Sequence, residues 1–123
     1  MKPVVAVLIP VLFFSLVGCA SNPRIDSLSS EERAKVSEVQ IFASTPPQAY
    51  QALGEVSGLS CNRNKYQEQD ISEKEALEGV KIRAVMKGGD AVINTLCQKN
   101  SDTDWVNNCW ASIKCIGDAV KLN

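Results

Sequence analysis

The chain has 123 residues, 13 basic and 14 acidic side chains, a formal net charge of −1 and no histidine. Near-neutral charge with no block of like sign leaves no footprint for a polyanion, so nucleic acid is not an expected partner. The missing histidine excludes Ser-His-Asp and Cys-His catalysis, HExxH zinc sites and histidine-ligated haem; it removes the usual general base without excluding every enzyme, and no cofactor is expected.

Lys2 and a fourteen-residue apolar run, Val4 to Val17, open the chain. That run is shorter than the roughly twenty residues of a spanning helix and matches the core of an export signal. It ends in Leu16-Val17-Gly18-Cys19, the pattern of a bacterial lipobox. Residues 1–18 are therefore expected to be removed as a lipoprotein signal peptide, leaving Cys19 as an acylated N-terminus on the oxidising side of a membrane. Each buried methylene of such an anchor contributes about 0.8 kcal/mol. An aspartate after the cysteine retains lipoproteins in the inner membrane of enteric bacteria; Ala20 favours the outer membrane.

Residues 19–38 read as a lipidated tether. Asn22-Pro23 and the Ser27–Ser30 stretch interrupt regular structure, while Ser29 with Glu32 carries a capping-box signature for a short helix over Arg33–Val36. The folded domain is expected over 39–123. Val39, Ile41 and Ala43 alternate with Gln40, Phe42 and Ser44, which predicts a first strand. Thr45-Pro46-Pro47 predicts a helix start, with Ala49–Leu53 as a short helix ended by Gly54. Glu55–Cys61 reads as a second strand with a bulge at Gly58, and Asn62–Asp70 as a surface loop. Ser72 and Glu75 then cap the main helix, whose apolar stripe is Leu77, Val80, Ala84 and Val85 and whose stop is Gly88-Gly89. Ala91–Cys97 opens on three apolar residues and reads as an interior strand. Gln98–Asn108 is a polar loop, and Cys109–Val120 a fourth strand bent at Gly117. The fold class is thus α+β, a small sheet of about four strands covered by one main helix plus one short helix.

Four cysteines follow Cys19: Cys61, Cys97, Cys109 and Cys115. An even number in a small exported domain points to two disulfides. A zinc site or a redox-active pair would use CxxC spacing, which is absent, so no metal is expected. One helix on one sheet makes a thin core, and each bridge closing a long loop supplies about 3–4 kcal/mol. Spacing alone leaves all three pairings open.

Three stretches carry a resemblance. Leu53-Gly54-Glu55-Val56-Ser57-Gly58 leads to Cys61, Ile82 runs through Asp90-Ala91-Val92 to Cys97, and Cys109 precedes Cys115-Ile116-Gly117. With the lipobox, these resemble the RcsF family of outer-membrane lipoproteins, sensors that feed the Rcs envelope-stress phosphorelay. The resemblance implies two interleaved bridges, Cys61–Cys109 and Cys97–Cys115. Cys109 and Cys115 share parity on the last strand and are expected on the same side of the sheet. It also implies a non-enzymatic role. The domain would be anchored in the outer membrane, facing the periplasm with partial surface exposure, and would associate with the barrel-assembly machinery and outer-membrane barrels. Under envelope damage it would engage an IgaA-like inner-membrane repressor and so activate the relay. Better-known members carry a long proline-rich tether, whereas this one is short and proline-poor. The alternative expectation is a structural or assembly-accessory envelope lipoprotein of the same fold without a signalling role.

Trp105, in the polar loop, is the candidate partner contact, because tryptophan is enriched in binding hot spots. Trp110 has the opposite strand parity to the cysteines and reads as core packing at least as much as contact. Asp102 and Asp104 lack the ligand spacing of a calcium loop and read as solvation. Glu73, Lys74, Glu75, Glu78, Lys81 and Arg83 read as a solvated helix face.

Overall fold

A sheet of strand order β1-β3-β4-β2 organises the domain in the computed structural model. The structure describes residues 24–63, 70–100 and 102–123. The expected signal peptide, Cys19 and most of the 62–70 loop lie outside them. A 3-10 turn at Ile25–Ser27 leads into α1 (Ser30–Val36), then β1 (Gln40–Ile41), β2 (Tyr50–Asn62), α2 (Glu73–Met86), β3 (Ala91–Asn100) and β4 (Ala111–Leu122). β1 runs parallel to β3, and β4 lies antiparallel between β3 and β2. The expected α+β class holds, with α2 as the main helix and α1 as the short one.

The short helix is not where Thr45-Pro46-Pro47 points. Tyr50, Gln51 and Ala52 pair with Leu122, Lys121 and Val120 of β4, so Ala49–Leu53 is mostly strand. A helix that short does not recover its nucleation cost alone, whereas pairing with β4 satisfies the backbone groups that face it. Gly54 accordingly ends no helix. It has φ of +117° and sits where β2 slips one residue against β4, between Ala52 and Gly54. Both a helix stop and a bulge use positive φ, and here the glycine serves the bulge.

Gly58, the expected bulge, lies in regular register opposite Cys115. Its role is close approach. A Cβ there would stand 1.8 Å from the Ala76 carbonyl oxygen and 2.7 Å from the Val80 nitrogen, both in the α2 backbone. On the next strands, the irregularity expected at Gly117 lies opposite it, where β3 shifts register between Ile93 and Leu96 and Asn94 has φ of +52°.

Local chemistry fixes both helices. The Ser29 hydroxyl accepts the Glu32 N–H at 3.2 Å and the Glu32 carboxylate accepts the Ser29 N–H at 3.3 Å, a complete capping box. Ser72 caps α2 by accepting the Glu75 N–H at 3.1 Å, and its own N–H donates to the Ser60 hydroxyl at 2.9 Å. At the other end Gly88 has φ of +79°; its N–H donates to the Val85 carbonyl and that of Gly89 to the Ala84 carbonyl. This is a Schellman stop.

The core lies between α2 and the sheet, with Ala76, Val80, Ala84 and Val85 of the helix against Val56, Val92, Cys115 and Ala119. Ile82 is buried as well, although it lies outside the expected stripe. The segment running through α1 packs on α2 and brings Leu28 and Val36 into the same cluster, and Ile25 shares a groove with Ile82. The described part of the expected 19–38 tether is therefore largely folded onto the domain. A second cluster of Ala91, Ile93 and Val120, with Phe42 and Leu122, lies at the β1 end of the sheet. Arg83, expected in the solvated face, instead donates at 2.9 Å to both the carbonyl and the hydroxyl of Ser57 on β2.

Gly58→Ala is expected to destabilise the domain by about 3 kcal/mol or more, at the upper end for overpacked cores, because the obstructing atoms are backbone. Urea unfolding measures this, and an unchanged midpoint would contradict the close approach.

Candidate functional site

Two bridges frame the end of the sheet where β2 finishes and β4 begins. Cys97 and Cys115 are direct cross-strand partners of β3 and β4 with Cα atoms 4.0 Å apart. Cys115 is fully buried on the α2 side, and Cys97 packs against the same core. The other bridge joins Cys61 to Cys109 with Cα atoms 5.5 Å apart. Side chains alternate along a strand, and Ser60 points to the N-terminus of α2, so Cys61 points away from it. The two bridges therefore sit on opposite faces, contrary to the expectation from parity. Cys109 precedes β4, which starts at Ala111, so strand alternation does not extend to it. Paired this way, the four sulfurs present no thiolate to a metal or a redox partner.

Cys109 also closes a hairpin loop. The Asp104 N–H donates to the Cys109 carbonyl at 2.6 Å and the Cys109 N–H to the Asp104 carbonyl at 2.9 Å. Between them Trp105, Val106, Asn107 and Asn108 form the turn, with Asn108 at φ of +56°, a conformation asparagine tolerates. Asp104 organises it. Its Oδ1 accepts the N–H groups of Val106 and Asn107, both at 3.1 Å, and its Oδ2 accepts the Asn107 side-chain amide at 2.7 Å and the Ser112 hydroxyl at 3.5 Å. These bonds, led by the Asn107 side chain, hold the Asp104 carboxyl below the ordinary 3.8. Asp104 is thus an Asx-turn scaffold rather than a solvated acid.

This scaffold presents apolar side chains to solvent. Trp105 is 83% exposed and Val106 is 91% exposed. Residue type and a polar loop together point to Trp105 in the sequence; Val106 gives no such cue, because one valine in a polar loop carries no periodic signal. The local cue for the scaffold is asparagine three residues after aspartate. Trp110 is 40% exposed and lies outside β4, so it is not a core residue; its N–H donates to the Asn62 carbonyl at 2.7 Å.

Loss of the Cys61–Cys109 bridge, which spans 48 residues, is expected to cost about 4 kcal/mol, and loss of Cys97–Cys115, which spans 18, about 3 kcal/mol. Cys61→Ser, Cys109→Ser and the double variant should unfold at the same urea concentration, since each removes the same bond. The Asp104 network has its own acid signature. A carboxyl held below its unfolded value stabilises the fold above that value and loses the contribution as pH falls through the folded one. The amide shifts of Val106 and Asn107 should therefore stay constant from neutral pH to about pH 4 and move only below it. Asp104→Ala should produce the acid-type shifts at neutral pH.

No protein-family model matches the chain, and no curated protein matches it. Among solved structures, the chain is similar to a protein of unknown function from Pediococcus pentosaceus that belongs to the DUF74 family. The two share a TM-score of 0.51 and 14% identity over 69% of this chain and 98% of that one. At that identity the likeness concerns the fold alone.

Proposed function

We propose that the chain is a lipid-anchored envelope-stress sensor of the RcsF type, acting by protein contact rather than by chemistry. The observation that carries this reading is the interleaved pair of bridges, Cys61–Cys109 and Cys97–Cys115. It is the pairing that the family resemblance implies, in a domain that follows a lipobox. Anchorage at Cys19 in the outer membrane, association with barrels and their assembly machinery, and activation of the Rcs relay through an IgaA-like repressor are parts of the same proposal.

The folded start of the domain sharpens it. Leu28 is already buried in the core, so nine peptide steps separate it from Cys19. Fully extended, those steps reach at most about 31 Å. An anchored copy stays beside its own membrane. Engagement of an inner-membrane repressor then depends on copies that have not been seated in the outer membrane, which is how the family is thought to report damage.

Complementation tests the proposal. In a cell lacking its own RcsF and carrying an Rcs-dependent reporter, outer-membrane damage should induce the reporter above the empty-vector level. A flat reporter, with the acylated and doubly bridged protein present, would instead favour an accessory envelope lipoprotein with no signalling role.

A further inference from the structure

We infer that the Trp105–Val106 tip seats in the interfacial layer of the same bilayer that holds an acylated Cys19. The tip would then act as a second contact that orients the domain on its membrane. This rests on the lipid-anchor reading of Cys19.

The first ground is placement. Arg24 and Ile25 line a groove with Ser72, Glu75 and Ile82, so the described chain begins beside the N-terminal half of α2. That end of α2 is tied to the end of β2 through the Ser72–Ser60 hydrogen bond. The end of β2 is tied in turn to the hairpin through the Cys61–Cys109 bridge and the Trp110–Asn62 hydrogen bond. The N-terminal exit and the tip therefore share one end of the domain. Cys19 is five peptide steps before Arg24, a reach of at most about 17 Å. An anchor on so short a lead holds this end, and not the β1 end, against the bilayer.

The second ground is the chemistry of the tip. Residues 105–108 are Trp-Val-Asn-Asn and carry no charge. The N–H groups of Val106 and Asn107 are satisfied by Asp104 from beneath, so the tip can leave bulk water without orphaning them. Tryptophan suits the interface because its ring is apolar while its N–H finds partners among headgroups. A protein partner is the weaker match. Hot-spot tryptophans sit within a broad desolvated patch, whereas here the neighbours Asp102 and Asn108 are exposed and polar. No helix among the described residues is long and apolar enough to cross a membrane, so the tip would add a surface contact, not a span.

The test uses the full chain, purified from membranes and placed in phosphatidylethanolamine–phosphatidylglycerol vesicles with or without brominated acyl chains. A Trp110→Phe background leaves Trp105 as the sole tryptophan. Mass spectrometry of the mature N-terminus is read first. With acylated Cys19, Trp105 emission should shift to the blue and lose most of its intensity in brominated vesicles. Should Trp110→Phe fail to form both bridges, the difference between wild type and Trp105→Ser gives the same readout. An acylated chain whose Trp105 emits as in water, quenched by acrylamide and not by bromolipid, overturns this inference and leaves the anchor standing. Absence of an acyl group at Cys19 overturns both. In those vesicles, Trp105 shielded from acrylamide yet unquenched by bromolipid would mean that protein and not bilayer covers the tip, which also overturns it.

Discussion

The backbone of α2 lies against β2 at a separation that leaves no space for a side chain at Gly58, and much of the domain follows from that contact. A helix held so close presents small residues to the sheet: Ala76, Val80 and Ala84 are all buried. Such a layer buries little apolar volume per residue, so a single helix over a single sheet is a modest source of stability at this chain length. The rest of the structure supplements it. The segment running through α1 adds Leu28 and Val36 to the same core. The bridges restrict the unfolded chain, one of them inside the core itself. Gly88 and Gly89 stop the helix just before β3, and Asp90 then returns the chain to the sheet by accepting the Leu122 N–H at 2.7 Å.

Features settled within three or four residues were legible in the sequence. The serine caps of both helices, the glycine stop of α2 and the β3 start at Ala91 all depend on neighbours in the chain. What depends on distant partners was not. Ala49–Leu53 carries a local helix signal, yet its fate is decided by β4, about seventy residues on. Ile82 looks out of phase until the segment before α1, which reaches it through Ile25, is placed. The parity of Cys109 with Cys115 assumes one continuous strand, whereas the hairpin interrupts it before Ala111.

The same division runs through the candidate site. The interleaved cysteine pairing came from a family resemblance, since spacing cannot distinguish three alternatives. Trp105 stood out because tryptophan is conspicuous in a polar loop. Asp104 did not, because an acid in a loop looks solvated until Asn107 and Ser112 are brought to it. The residue that shapes the tip is therefore less visible in the sequence than the residue that occupies it.

Arg83 has a bearing on how neighbouring copies meet. β2 is the long outer margin of the sheet, and such margins can recruit strands from other chains into aggregates. The Arg83 guanidinium occupies the Ser57 carbonyl on that margin and sets a positive charge where an incoming strand would lie. The bulge at Gly54 breaks the regularity of the same margin. Where molecules meet at high local density, a blocked margin discourages sheet-to-sheet polymerisation.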